Sequence, residues 1–352
     1  MLSDSSIKDY IGRGLLKVGP SPQIGPASID LHIGNQLFRS NAQAHFLHNQ
    51  EVDKLNRCET FLEMLEKMEE PGALPFDQYV ARFGDKVPET DGRWVLEPNK
   101  QYYAQTAENI TIQRGVHTQI ATRSSSARNG LRVQYSEEKL DKADAFEGKP
   151  FLVINTYGTH IELPKNYPMC QMVVEPSRKL FTEEIKEGIR NGDIDVSGGS
   201  PVIYSDSLIL TFHPKLLRYN GKTINPAKDS SGCFDEVDIT HGYVLESGRF
   251  YLASTQETVG IGKRHAGVLH ELGIMPLDSY RTHLNAPYHW PGSKHSITLE
   301  IVSSIPRHVK AGDFACRLLF EELHPECESV YNSRYNGQVG PTVSRGNLPK
   351  VR

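Results

Sequence analysis

The sequence has no C-x-x-C pair. Its five cysteines, Cys58, Cys170, Cys233, Cys316 and Cys327, are odd in number and widely spaced, which leaves no visible zinc knuckle or disulfide framework and fits reduced thiols in a cytosol. No apolar run approaches the roughly 18 residues of a membrane span, and the opening MLSDSSIKDY has neither the basic n-region nor the apolar h-region of a signal peptide. A cytoplasmic chain with no membrane partner is the expectation. Charge of one sign is also lacking: 39 Lys and Arg stand against 43 Asp and Glu, a formal net charge of -4. That balance argues against duplex DNA or any other broad polyanion as partner, so any anion site must be local.

Length and repetition are present instead. A chain of 352 residues exceeds what one hydrophobic core usually organises, so two domains are expected. The segment IKDYIGRGLLKV (Ile7 to Val18) recurs as IKEGIRNGDIDV (Ile185 to Val196), and YYAQTAE (Tyr102 to Glu108) recurs as YLASTQE (Tyr251 to Glu257). The first offset is 178 and the second 149, so the order is kept while the spacing shrinks. An insertion in the first half explains the difference. Its candidate is an amphipathic helix around 51–72, carrying Leu55, Phe61, Leu62, Leu65 and Met68 and ended by Pro71-Gly72. Two related halves follow, 1–179 and 180–352, each opening with a short helix and a strand, with Gly14 and Gly192 placed as left-handed caps.

Elsewhere, short alternating runs such as ASIDLHIG, NITIQ, PFLVINTYG and SITLEIV are broken by Gly, Pro and Asn. This is the pattern of a mainly β sandwich or jelly roll with a few short helices. In HSITLEIV, Ile297, Leu299 and Ile301 share one face and Ser296, Thr298 and Glu300 the other, which is expected to be wet or functional.

The stretch TRSSSARNGL (Thr122 to Leu131) sets Arg123 and Arg128 around three serines and ends in Asn-Gly. If Ser124 or Ser125 caps a single helical turn, the free N–H groups and two guanidinium forks suit a polyphosphate. A capped surface turn with solvated arginines is the plain alternative. His283, His289 and His295 recur every six residues, a spacing that fits neither one helix face nor a usual zinc site, so structural or surface roles are expected.

TRSSSARNGL resembles the A-R-S-S-x-x-R-x-G-L phosphate motif of the dCTP deaminase and dUTPase superfamily, and Pro26 to Gly34 fits its P-A-x-x-D-x-x-x-G strand. HLNAPYHWPGSKHSITLEI (His283 to Ile301) is similar to the deaminase stretch ending in a Leu-Glu pair, whose carboxylate is the catalytic proton shuttle. RYNGQVG (Arg334 to Gly340) resembles the deaminase C-terminal K-Y-x-x-Q segment, with Arg334 in place of the lysine. The resemblance, closest to the long two-domain dCTP deaminases, implies two tandem dUTPase-like jelly-roll (β-clip) domains. It makes Glu300 the catalytic residue, and assigns Arg123, Ser124, Ser125, Arg128, Ala286, Arg334, Tyr335 and Gln338 to nucleotide binding.

The halves depart from the family in complementary ways. The first has the phosphate motif but Leu152-Val153 where the Leu-Glu pair should stand; the second has Glu300 but reads HAGVLHELGI in place of the Arg-Ser-Ser motif. A composite site is expected. Because family sites lie between subunits of a trimer, a homo-oligomer with the two contributors on different chains is favoured over halves of one chain meeting each other.

The implied reaction is zinc-independent deamination of dCTP to dUTP, since H-x-E with P-C-x-x-C is absent; His324-Pro325-Glu326-Cys327 reads as a loop. Magnesium is expected only with the triphosphate. Two alternatives remain open, dUTP diphosphate hydrolysis and a non-catalytic nucleotide sensor. The first is put in doubt by Ala143 and Trp290 at the positions of the water-activating aspartate, although Asp144 is adjacent.

Overall fold

The computed structural model describes residues 1–19, 22–41, 75–114, 116–135, 145–174, 179–199, 202–204, 206–270, 280–281, 283, 286–323, 325–332 and 334–346. The helix expected around 51–72 lies outside the described residues, as do Ala143, Asp144 and His324.

Period-two alternation sets the first half's core. Tyr102 and Ala104 of strand Gln101–Gln105, and Leu152 and Ile154 of strand Phe151–Thr156, pack inward with Ile29, Leu31, Ile120 and Met172. The strands form an antiparallel five-stranded sheet, in the order Leu131–Tyr135, Phe151–Thr156, Gln101–Gln105, Phe38–Ser40, Gly84–Lys86. Against it lies a four-stranded sheet, Thr118–Thr122, Pro168–Val174, Ile29–His32, Gln23–Ile24. The second half repeats this layering around Leu208, Leu210, Tyr251, Ala253, Leu299 and Leu318. Its central pair is the long strand Phe250–Ile261 against Lys294–Ser303. Among the described residues no sheet mixes strands from before and after residue 180.

The repeat extends to individual side chains. Helix α1 (Asp4–Gly12) precedes strand Leu16–Gly19, and the later helix Thr182–Asn191 precedes Ile194–Ser197. Gly14 and Gly192 take φ of 74° and 84°, the left-handed region that ends each helix. Thr106 Oγ1 donates to the Glu108 carbonyl at 2.9 Å, and Thr255 Oγ1 to the Glu257 carbonyl at 2.8 Å. The Glu108 carboxylate accepts the His32 N–H at 3.0 Å and Nδ1 at 2.7 Å, while Glu257 accepts the Thr211 N–H at 2.9 Å and Oγ1 at 2.8 Å. Each buried carboxylate thus ties the chain just after Thr106 or Thr255 to the facing sheet.

The halves pack through apolar side chains from both: Met1, Ala27, Ala121 and Val173 against Ala266, Tyr288, Trp290 and Leu323. A second cluster joins Ala127 to Tyr219, Ile224, Phe250 and Leu252. Asp4, buried at the start of α1, accepts the N–H groups of Glu328 and Ser329 at 2.9 and 3.1 Å and the Ser329 hydroxyl at 2.7 Å. Of the two roles expected for the second face of strand Lys294–Ser303, wet or functional, the first is excluded: Ser296, Thr298 and Glu300 are 0%, 6% and 3% exposed, with Gln338 over Ser296 and Thr298 and Glu300 lining a cavity with Ser124 and Arg128 of the first half.

Candidate active site

Strand Thr118–Thr122 runs into the single turn of helix α3, defined as Ser124–Ala127 following α2 (Phe76–Phe83) in the chain. The N-cap position falls to Arg123 with no side-chain cap bond, so the capping serine expected at Ser124 or Ser125 is not found. The turn is held from outside instead. Ser126 Oγ donates to the Met169 carbonyl at 2.9 Å, and Gly130 closes it with φ of 80°, where a Cβ would meet Thr159 Oγ1 at 2.5 Å. Sequence periodicity cannot report these contacts, since Met169 lies on a distant strand and Thr159 in the loop after Phe151–Thr156.

The two arginines part company. Arg123 Nε lies 3.2 Å from Asp30 Oδ1 and its Nη1 donates to the Pro168 carbonyl at 3.1 Å. The two family motifs therefore meet in an ion pair. Burial pushes the Asp30 carboxyl pKa up, against the pull of Arg123 and His32. Arg128 points the other way, 3% exposed, with Nε and Nη1 lacking a hydrogen-bond partner. A buried guanidinium left this way is costly unless an anion reaches it. Its guanidinium carbon sits 3.9 Å from the centroid of the Tyr335 ring. Burial raises the Tyr335 phenol pKa, but Arg128 and the Arg345 N–H together bring it below its usual value.

Arg128 and Ser124 face a cavity whose other walls come from the second half, including Ala286, Trp290, Thr298, Glu300 and Tyr335. The enclosed space is about 30 Å³, room for a water or two. The contributors on different chains that the family trimer suggested are not needed: Arg128 and Glu300 reach one cavity within one chain. The physical reason is the packing of α3 onto the outer face of the second half's central sheet, where Ala127 meets Phe250 and Leu252.

The remaining predicted residues divide. Gln338 is buried and donates through Nε2 to the Ser296 carbonyl at 2.8 Å and Thr298 Oγ1 at 3.0 Å, with Oε1 unpartnered. Ser125 does not line the cavity; its carbonyl accepts Asn129 Nδ2 at 2.9 Å. Arg334 is occupied by the carbonyls of Arg345 and Gly346, at 2.9 and 2.6 Å, and is not on the wall.

His289 and His295, read from sequence as structural or surface residues, are buried on the cavity wall with ring centroids 4.6 Å apart. The Pro291-Gly292 turn folds their strands together, which a spacing of six does not reveal. His289 Nε2 donates to the Val259 carbonyl and His295 Nδ1 to the Ser296 carbonyl, both at 2.9 Å, since a carbonyl can only accept. Burial lowers their pKa values to about 4 and about 3 respectively. Tyr288 stacks on Trp290 at 4.9 Å and donates to Gln119 Oε1 at 2.9 Å, linking the halves beside the cavity. Among the described residues no group of three or more His, Cys, Asp or Glu converges as a metal site, and no helix is long and apolar enough to cross a membrane.

A family model described as dCTP deaminase-like matches residues 1–177 and 180–323. The chain belongs to the dCTP deaminase-like family. Relatives of this deaminase-like chain include a protein of Salinispora tropica named "dCTP deaminase, dUMP-forming", 31% identical over 179 residues, 47% of this chain and 93% of the relative. One of the same name from Beutenbergia cavernae is 33% identical over 134 residues, covering 36% of this chain and 70% of that one. The crystal structure of 2'-deoxycytidine 5'-triphosphate deaminase from Agrobacterium tumefaciens superposes with a TM-score of 0.74 at 19% identity. It covers 94% of this chain and 97% of its own, so the deaminase-like fold extends over both halves.

Proposed function

We propose that the chain is a dCTP deaminase whose single composite site hydrolyses the exocyclic C–N bond of the cytosine ring, giving dUTP and ammonia. The observation that carries this reading is the meeting of Arg128, a buried cation with unpartnered N–H groups, and Glu300, a buried carboxylate, on one cavity. Arg128 and Ser124 take the triphosphate end, where a guanidinium fork matches phosphate oxygens. Magnesium enters as the counterion of that triphosphate.

Glu300 moves the protons. Water oxygen bonds to C4 of the ring while one of its protons reaches N3. Glu300 then carries the remaining hydroxyl proton to the exocyclic nitrogen, the C4–N bond breaks with its electron pair leaving on ammonia, and C4 becomes a carbonyl. The Ala286 carbonyl orients the water, and Gln338, whose Nε2 donates to Thr298 Oγ1 and whose Oε1 is unpartnered, closes the base end of the site.

A second reading has dUTP cleaved onward to dUMP. The relatives' name favours it, and Trp290 at the position of the water-activating aspartate opposes it. Chromatography of products from dCTP and from dUTP decides between them, run with magnesium and after chelation with magnesium restored. Zinc-independent ammonia release with dUTP accumulating is expected. Glu300→Gln should retain dCTP binding and lose turnover; full activity in that variant would remove Glu300 from the chemistry.

A further inference from the structure

Strand register places Val153 opposite Tyr103 in the first half and Glu300 opposite Leu252 in the second, with Leu152 opposite Ala104 and Leu299 opposite Ala253. The two sheets therefore present equivalent outer faces: Phe151, Val153 and Tyr103 on one, Thr298, Glu300 and Leu252 on the other. The second face receives α3 from the first half. The first face receives α2. Phe76 and Val80 pack there with Tyr103, Phe151, Val153 and Phe38. Ring centroids lie 5.1 Å apart for Phe76 and Phe151, 5.2 Å for Tyr79 and Tyr103, and 5.1 Å for Tyr79 and Phe151. Gly84, at the end of α2, approaches strand Phe38–Ser40 so closely that a Cβ would meet Phe38 Cβ at 2.9 Å.

We propose that α2 is a built-in substitute for a neighbouring domain: it occupies the face on which a second copy of this chain would otherwise dock, ending head-to-tail association and closing the first half's counterpart of the nucleotide site. The contact between the halves is heterologous, with a turn on one unit against a sheet face on the next. Such a contact repeats into rings or filaments unless the last face is blocked. Here the last face is the first half's, and at the position of the catalytic carboxylate it carries a valine among aromatic rings. A site there would have no proton shuttle, so covering it costs no chemistry.

The number of sites rests on the deaminase reading; the blocking of the face does not. Sedimentation equilibrium of the full chain tests the block. The double variant Phe76→Ser and Tyr79→Ser uncovers the face, and its average mass should rise with concentration above that of the unsubstituted protein. A folded double variant with unchanged mass at every concentration overturns the proposal. If that variant does not fold, Val153→Glu decides. A carboxylate enclosed by α2 should lower the melting midpoint at pH 8 and recover part of the loss at pH 5, whereas an unchanged midpoint means that α2 does not cover the face. Equilibrium dialysis of dCTP with Glu300→Gln should give one nucleotide per chain, and two would overturn the closed site. No binding at all would refute the deaminase reading while leaving the sedimentation result to stand.

Discussion

Arg128 comes from the first half and Tyr335 from the second, and the guanidinium carbon of the first lies over the ring of the second, 3.9 Å from its centroid. Tyr335 is in turn held by the Arg345 N–H, which donates to its hydroxyl at 3.0 Å. The pair forms one side of the cavity that Glu300 also lines.

Arg128→Met follows from that arrangement. The substitution keeps most of the volume and removes a buried charge whose Nε and Nη1 lack partners. The melting temperature without nucleotide should hold or rise, as when buried ions are exchanged for apolar residues. Triphosphate affinity should fall on the order of 10- to 100-fold from the loss of charge-assisted hydrogen bonds. Calorimetric titration with dCTP and with deoxycytidine checks it: equal losses for both ligands would take Arg128 away from the phosphates.

Mixing is expected to fail. Arg128→Ala and Glu300→Gln, unfolded and refolded together, should regain no activity, because each chain brings its own defect to its own cavity. Recovered turnover in the mixture, measured as ammonia release, would place the working contacts between chains.

The paired histidines predict an acid-side loss of stability. His289 and His295 have folded pKa values near 4 and 3, below the value of about 6.5 in an unfolded chain. Between those limits the unfolded state binds more protons, so stability falls as pH drops below about 6.5, by up to about 1.4 kcal/mol per pH unit for each histidine. Urea unfolding at pH 7, 6 and 5 should give a shallower fall for His289→Gln. Identical slopes would mean that the buried ring does not resist protonation.

Asp4 gives the same sign at lower pH. Burial alone would raise its pKa, but the Ser329 hydroxyl and the Glu328 and Ser329 N–H groups hold it below the ordinary value. Its stabilisation is therefore present above the unfolded carboxyl pKa and lost as pH falls through the lower folded one. Asp4→Asn should cost about 1.5–3 kcal/mol at pH 7, the range for hydrogen bonds to a charged group, read by denaturant unfolding. The difference from the unsubstituted chain should shrink under strong acid.

Much of this was legible in local sequence. The repeated helix, glycine cap and strand, the alternation in HSITLEIV and the place of Glu300 are short-range patterns, and strand register confirms the pairing of Val153 with the Glu300 position. What stayed hidden depends on which residues meet across space. Two arginines five apart look equivalent in TRSSSARNGL, yet Asp30 takes one and the cavity takes the other. Helix α2 follows Pro75, close behind the Pro71-Gly72 pair taken to end the inserted helix. His289 and His295 come together only through a turn between two strands.

That Arg128 and Glu300 ride on one polypeptide also changes how the site responds to dilution. A site assembled from separate chains dissolves when protein concentration drops below the dissociation constant of the assembly. Here the covalent connection fixes the effective concentration of one contributor around the other, so activity per chain should stay constant down to concentrations at which any assembly of chains has come apart.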